Sequence, residues 1–287
     1  MERFVDVAPG VRLWAQDVAA TGPDPQADPI LLVMGAGASG LAWPDALVEL
    51  LAERHRVIRY DHRDTGRSTW AFDRRPYALT DLAHDAVAVL DAFEVPRAHI
   101  VGMSMGGLIA QVLLLDHPDR LISATLFGTP ALDAEGRPPA PDPPPELTAL
   151  WEQLGTPRDH EAELDWRMAH QRVLNGSGTP FDAAESRATE ERIIAHTGHA
   201  QGSTAHARAA RTGLRRGAEL AAVQVPVLVV DAAEDPLVAP RQAGHLAGAL
   251  GRGRLIRIAG MGHALNRTVV PPLAAAILTQ TTAPPGV

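Results

Sequence analysis

Cysteine is absent from the 287-residue chain, so there is no disulfide, no thiolate nucleophile and no Cys-ligated zinc or iron–sulfur site. Lysine is absent too, and all 26 basic residues are arginine. That excludes a Schiff-base lysine, hence pyridoxal-phosphate chemistry, and it excludes a lysine-bearing phosphate loop. Aromatic residues are scarce, at 4%. No apolar run reaches the ~18 residues of a membrane span, and the opening Met1–Asp6 lacks the apolar core of a secretory signal. The expectation is a cytoplasmic protein with no membrane partner. Acidic residues outnumber basic ones 34 to 26, and the formal charge of −8 disfavours a nucleic-acid partner, because phosphate binding wants a basic surface. What is present is ordinary globular usage, 46% hydrophobic and 21% charged, in a chain long enough to bury a substantial core.

Short apolar runs of strand character alternate with segments of helical period. Strands are expected at Phe4–Val7, Val11–Asp17, Ile30–Val33, Arg56–Tyr60, Ala98–Gly102, Leu121–Phe127, Val225–Asp231 and Leu255–Ile258. Helices are expected at Trp43–Leu51, at Leu79–Phe93 with Thr80 as N-cap, and at Met105–His117, Arg241–Leu250 and Pro271–Gln280. Several of the strands are apolar end to end, as strands covered on both faces are. The fold class implied is α/β, a mostly parallel sheet flanked by helices. The alternation breaks between Thr129 and Glu219. That stretch opens with the stiff, extended run Pro138–Pro145 and continues as helical segments at Leu147–Leu154, Glu161–Leu174, Ala183–His196 and Thr204–Leu214. It reads as a helical cap, residues 129–219, inserted between sheet strands of a core made from residues 1–128 and 220–287. The cap is expected over the strand C-termini, where open α/β sheets bind ligands. The tail Thr281–Val287 is expected to fray.

Gly102-Met103-Ser104-Met105-Gly106-Gly107 lies between the strand from Ala98 and a helix led by Leu108, Ile109, Val112 and Leu113. Glycines two before and two after Ser104 let strand and helix approach closely around a tight turn, which presents the serine Oγ above the sheet at a helix N-terminus. A serine hydroxyl is a weak nucleophile near neutral pH and needs a base. His263, in Gly260-Met261-Gly262-His263 after the last strand, is the candidate, with His62 as rival. A carboxylate must hold the imidazole in one tautomer. Asp235, ending the strand from Val225, suits the order Ser, Asp, His; Asp133 and Glu234 are the alternatives. Acyl transfer also needs two donors for the oxyanion, and the candidates are the backbone N–H groups of Met105 and Ala36.

Other residues carry weaker signals. Gly35-Ala36-Gly37 could cradle a phosphate, but no G-x-G-x-x-G is present. His196, His199 and His206 could be metal ligands, but no HExxH or carboxylate-flanked pattern surrounds them, so they read as a solvated helix end. No metal and no cofactor is expected. Trp151, Trp166, Met168 and Phe181 could line an aromatic pocket or anchor cap helices. The candidate substrate-pocket residues are Gly35, Trp43, Phe127, Trp166 and Leu265.

Taken together these motifs resemble those of the α/β-hydrolase superfamily. Val57–Ser68 (VIRYDHRDTGRS), Val33-Met34-Gly35, Gly260–Leu265 and the cap stretch Gly176–Asp182 are similar to hydrolases of the aclacinomycin methylesterase type, from anthracycline biosynthesis. The likeness spans nearly the whole chain, departing at the proline-rich cap entry. It implies a cofactor-independent serine esterase that removes the methyl group of a methyl ester on a polyketide-derived ring system, through an acyl-enzyme on Ser104, His263 and Asp235. Its partner would be a small-molecule ester. Arg63, Asp64 and Arg67 read as a loop pin rather than as substrate ligands. Lactone hydrolysis, hydrolysis of a carbon–carbon bond and polyketide cyclisation can use the same triad, and a non-catalytic ligand-binding protein can use the same scaffold. The acyl and alcohol groups and the oligomeric state stay open.

Overall fold

Strands that are apolar at every position can be buried only when both faces of their sheet are covered, and the computed structural model shows how that is done. It describes residues 1–22, 27–133, 136, 138–199 and 201–282. The strands are β1 (Glu2–Ala8), β2 (Val11–Val18), β3 (Ile30–Val33), β4 (Val57–Tyr60), β5 (Ala98–Met103), β6 (Leu121–Phe127), β7 (Val227–Ala232) and β8 (Gly253–Ile258). They form one sheet in the order β1-β2-β4-β3-β5-β6-β7-β8. β2 runs antiparallel to both β1 and β4, and every pairing from β4 to β8 is parallel.

Successive side chains along a strand point to opposite faces. Leu31 and Val33 of β3, Ala98 and Ile100 of β5, and Val227 and Val229 of β7 therefore join one apolar layer. The helices α2 (Asp81–Ala92), α3 (Met105–Asp116) and α8 (Pro240–Ala249) cover it. Ile30 and Leu32, Val101 and Met103, and Leu228 and Val230 join the opposite layer, under α1 (Asp45–Ala52) and α9 (Val270–Thr281).

Thr80 is the N-cap of α2 as expected, though its side chain makes no capping bond; Asp81 Oδ2 closes the turn, accepting from the Ala78 N–H at 2.8 Å. Trp43 stays outside α1 in an extended conformation (φ −67°, ψ 118°) because Pro44 follows it.

The sheet reverses at β3. The chain crosses from β3 to β4 on one side and later places β5 on the other. The loops leaving the C-terminal ends of β3 and β5 therefore diverge, and a crevice opens between them. Between β6 and β7 the chain inserts α4 (Pro145–Glu152), α5 (His160–Leu174), α6 (Ala183–Thr197) and α7 (Ala205–Arg208). The last is far shorter than the Thr204–Leu214 expected. After Arg208 the backbone pairs with the core instead: the Ala210 N–H donates to Tyr77, and its carbonyl accepts from Leu79.

These helices bury few apolar side chains, among them Leu147, Leu164, Leu174 and Ile193. Ion pairs do much of the joining. Buried Glu163 accepts from Arg158 (2.9 Å) and Arg167 (2.8 Å), and Glu190 accepts from Gln171 (2.8 Å) and Arg167 (3.3 Å). Among the described residues no helix is long and apolar enough to cross a membrane. The tail beyond Thr282 lies outside the described residues.

Burial keeps four histidines neutral: it lowers the pKa of His62 to about 3, and those of His99, His170 and His206 to about 4. The unfolded chain, with histidines near 6.5, binds protons first as the pH falls. Stability from these groups is therefore complete above pH 6.5 and drains away toward pH 4, on the order of 1 kcal/mol per pH unit for each. Melting temperature measured from pH 8 to pH 4.5 is expected to drop steadily below 6.5, and His99→Gln to flatten that slope.

Candidate active site

β5 ends at Met103 and α3 begins at Met105, which leaves Ser104 alone to make the reversal. It does so at φ 56° and ψ −121°, a backbone conformation that costs a non-glycine residue ~1–3 kcal/mol. Tight packing holds it there. A Cβ at Gly106 would lie 2.0 Å from the Val33 carbonyl oxygen, so the first turn of α3 rests directly on the end of β3. The Ser104 N–H donates to the Phe127 carbonyl (3.0 Å), and its carbonyl accepts from Gly107 (2.9 Å). The side chain is half-buried at the N-terminus of α3, where free N–H groups favour negative charge.

Asp235 follows β7, and its carboxylate is fully withdrawn from solvent. Oδ1 accepts from the N–H groups of Leu237 (2.7 Å) and Val238 (2.9 Å), which turns Oδ2 toward His263 Nδ1 at 2.7 Å. That contact places the His263 proton on Nδ1 and leaves Nε2 at the opposite pole of the ring as the basic nitrogen. The backbone of this loop is held by the insertion, because the Leu174 carbonyl at the end of α5 accepts from His263 (2.7 Å) and Ala264 (3.0 Å). The imidazole lies against Gly128, the residue after the Phe127 carbonyl that holds Ser104. Serine and histidine thus flank one turn at the end of β6. Among the described residues no hydrogen bond joins Ser104 Oγ to the imidazole.

The β3 loop passes over the serine: a Cβ at Gly35 would lie 3.1 Å from Ser104 Cβ and 3.6 Å from its Oγ. The next residue is Ala36. Neither its N–H nor that of Met105 donates to an acceptor among the described residues. Both are available to an oxyanion.

The rival residues are engaged elsewhere. His62 Nε2 donates to the Met34 carbonyl (3.0 Å), Glu234 accepts from Ser177 (3.2 Å), and the backbone of Asp133 is tied to Leu214 and Gly217. Trp43 and Phe127 meet edge to face within the core, 0% and 1% exposed, and so lie beneath the site. Leu265 packs, partly buried, on the same apolar layer. Trp166 donates to the Leu150 carbonyl (3.1 Å) and stacks on His170, whose Nε2 accepts from Trp151 (3.2 Å). Burial, then the nearby His263 and Arg167, lower the pKa of His170 to about 4. Sequence pattern did not single out His170; its spacing of four before Leu174 on α5 was the available signal.

Of the histidines read as a solvated helix end, His199 is exposed and stacks on Trp70 with ring centres 3.8 Å apart, whereas His196 Nε2 contacts Asp61 (2.8 Å) and His206 is buried against the β3 loop. No group of three His, Asp or Glu among the described residues could hold a metal. Asp61, wholly buried, also accepts from Ser39 Oγ (2.6 Å), Gly40 (2.7 Å) and the Arg67 N–H (2.8 Å). Arg63 pairs with Asp85 through two bonds of 2.6 and 2.7 Å, and Asp64 accepts from Ala71 and Phe72. A hollow of about 370 Å³ lies on the seam beside Trp70, Phe72, Ser203 and Arg208, and neither Ser104, Asp235 nor His263 lines it.

Comparison with known proteins identifies the family. Residues 28–266 match the family described as alpha/beta hydrolase fold. Rhodomycin D methylesterase DauP of Streptomyces sp. (strain C5) is 41% identical over 289 residues, covering 95% of this chain and 96% of that protein. The same figures hold for rhodomycin D methylesterase DnrP of Streptomyces peucetius. Among solved structures, Est816, described as an N-acyl homoserine lactone degrading enzyme, is 26% identical with a TM-score of 0.70, over 98% of this chain and all of that one.

The serine turn is open to a paired test. Gly106→Ala must push its methyl into the β3 backbone and is expected to cost about 3 kcal/mol or more. Gly244→Ala, where an added Cβ meets nothing within 4 Å, is expected to be neutral or to stabilise by ~0.5–1 kcal/mol. Urea titrations of the two variants and the parent measure both.

Proposed function

The chain belongs to the alpha/beta hydrolase family and is a carboxylic ester hydrolase, and we propose that it cleaves the methyl ester of an anthracycline-type polyketide with Ser104, His263 and Asp235 as its catalytic residues. The observation that carries this reading is the likeness to rhodomycin D methylesterases over 95% of the chain, inserted helices included. Residues 129–219 act as a cap over a core formed by residues 1–128 and 220–287, and the cap shapes the substrate site.

His263 Nε2 takes the proton of Ser104 Oγ as that oxygen attacks the ester carbonyl. Asp235, held by two N–H groups, stabilises the imidazolium through Nδ1–H. The N–H groups of Ala36 and Met105 receive the oxyanion. As the tetrahedral intermediate collapses, the proton passes from Nε2 to the departing oxygen and methanol leaves. Water, deprotonated by the same nitrogen, then attacks the acyl-enzyme, and the carboxylic acid departs with Ser104 restored.

Incubation with the methyl ester of an anthracycline aglycone is expected to release one methanol per acid formed, a mass loss of one methylene at the product. Ser104→Ala is expected to lower kcat by about 10⁴-fold or more while keeping the melting temperature. Turnover of small esters alone would remove the polyketide substrate from this reading. Addition of water without methanol release would make the protein a lactonase instead.

A further inference from the structure

The oxyanion loop is held by two histidines that the reaction itself does not use. His62 Nε2 donates to the Met34 carbonyl at 3.0 Å. His206 Nδ1 accepts from the Gly37 N–H at 2.8 Å, while its Nε2 donates to the Arg63 carbonyl at 2.9 Å. The rings meet edge to face, 5.7 Å apart. These bonds dictate protonation. An amide N–H can only donate and a carbonyl can only accept, so His206 must be neutral with its proton on Nε2. Burial holds both rings neutral, His62 at about 3 and His206 at about 4.

Their placement along the loop is what matters. His62 fixes the peptide unit between Met34 and Gly35, and His206 fixes the unit between Ala36 and Gly37. The unit between them carries the Ala36 N–H, which has no acceptor among the described residues. Two free torsions on either side would let that N–H swing; anchoring both neighbours removes the freedom. His206 also belongs to α7, where the chain returns from the inserted helices to the core. One imidazole therefore joins the cap to the loop above Ser104.

We propose that His62 and His206 are positioning residues that aim the Ala36 N–H at the oxyanion, with His206 making that aim depend on how the cap is seated. The inference rests on the reading of Ser104 as nucleophile and of Ala36 as a donor.

The test compares His206→Ala with His206→Asn, whose Oδ1 can replace Nδ1 as acceptor for Gly37. For the methyl ester, H206A is expected to lose about 10–100-fold in kcat with KM within about threefold, because misaiming a donor weakens only the transition state. Affinity for an arylboronic acid, which forms a tetrahedral adduct on Ser104, should fall in parallel. H206N should recover to within about threefold of the parent in both. A kcat for H206A within twofold of the parent, a loss confined to KM, or H206N no better than H206A would each overturn the proposal. If H206A does not fold, His206→Leu replaces it: this side chain fills the ring's space but has no acceptor for Gly37, and H206N must exceed it. Loss of activity in S104A alongside full activity in H206A sinks this inference alone, whereas an active S104A sinks the nucleophile and this pair with it.

Discussion

Ser104 stands in a backbone conformation that side-chain-bearing residues avoid, and this end of the sheet is arranged around keeping it there. The strain is borne by two elements with no freedom to relax. β5 is buried along its whole length, and α3 is buried on nearly every side from Met105 to Leu114. Moving either would expose apolar surface at ~25 cal/mol per Å², far more than the strain could return. The Gly106 contact with β3 and the Phe127 carbonyl then leave the serine one position, at the crevice where β3 and β5 send their loops apart.

Around that fixed point the remaining groups are placed by polar contacts that have direction. Asp235 has Oδ1 held by two backbone N–H groups, which aims Oδ2 at His263, so its hydrogen bond sets the ring's orientation as well as its tautomer. Asp61 gathers the β3 loop, the Gly66–Ser68 turn and α6 onto one buried carboxylate. The inserted helices sit on the core by such means more than by apolar area. Arg192 pairs with Asp45, Thr197 donates to the Gly66 carbonyl (2.9 Å), and Leu174 holds the His263 loop. A surface joined this way has one register, because a shift of an ångström breaks the bonds rather than weakening them gradually.

Legibility followed the length scale of the cause. β3 and β6 read from sequence with the bounds the structure has, because an unbroken apolar run flanked by turn residues needs no distant partner to be recognised. β7 begins later than Val225 because Pro226 has no N–H to give the ladder; its carbonyl accepts from Ala124 and Gln280 instead. In the insertion the apolar stripes are thin, and α7 ends at Arg208 although helical spacing runs on to Leu214, because the backbone of Ala210 is claimed by Tyr77 and Leu79. Trp43 and Phe127, expected to line the pocket, pack inside the core, since an aromatic beside a loop carries no mark of which way it faces.

Sequence alone determined the alternation of strands and helices and the serine turn, since each rests on the chemistry of residues a few positions apart. Only the tertiary structure decided what His196 and His206 do. Their partners, Asp61 and Gly37, lie 135 and 169 residues earlier, and nothing near them in the chain announces the pairing. A histidine's role depends on which donors and acceptors reach its two nitrogens, and that is settled by how helices dock rather than by which residues stand beside it.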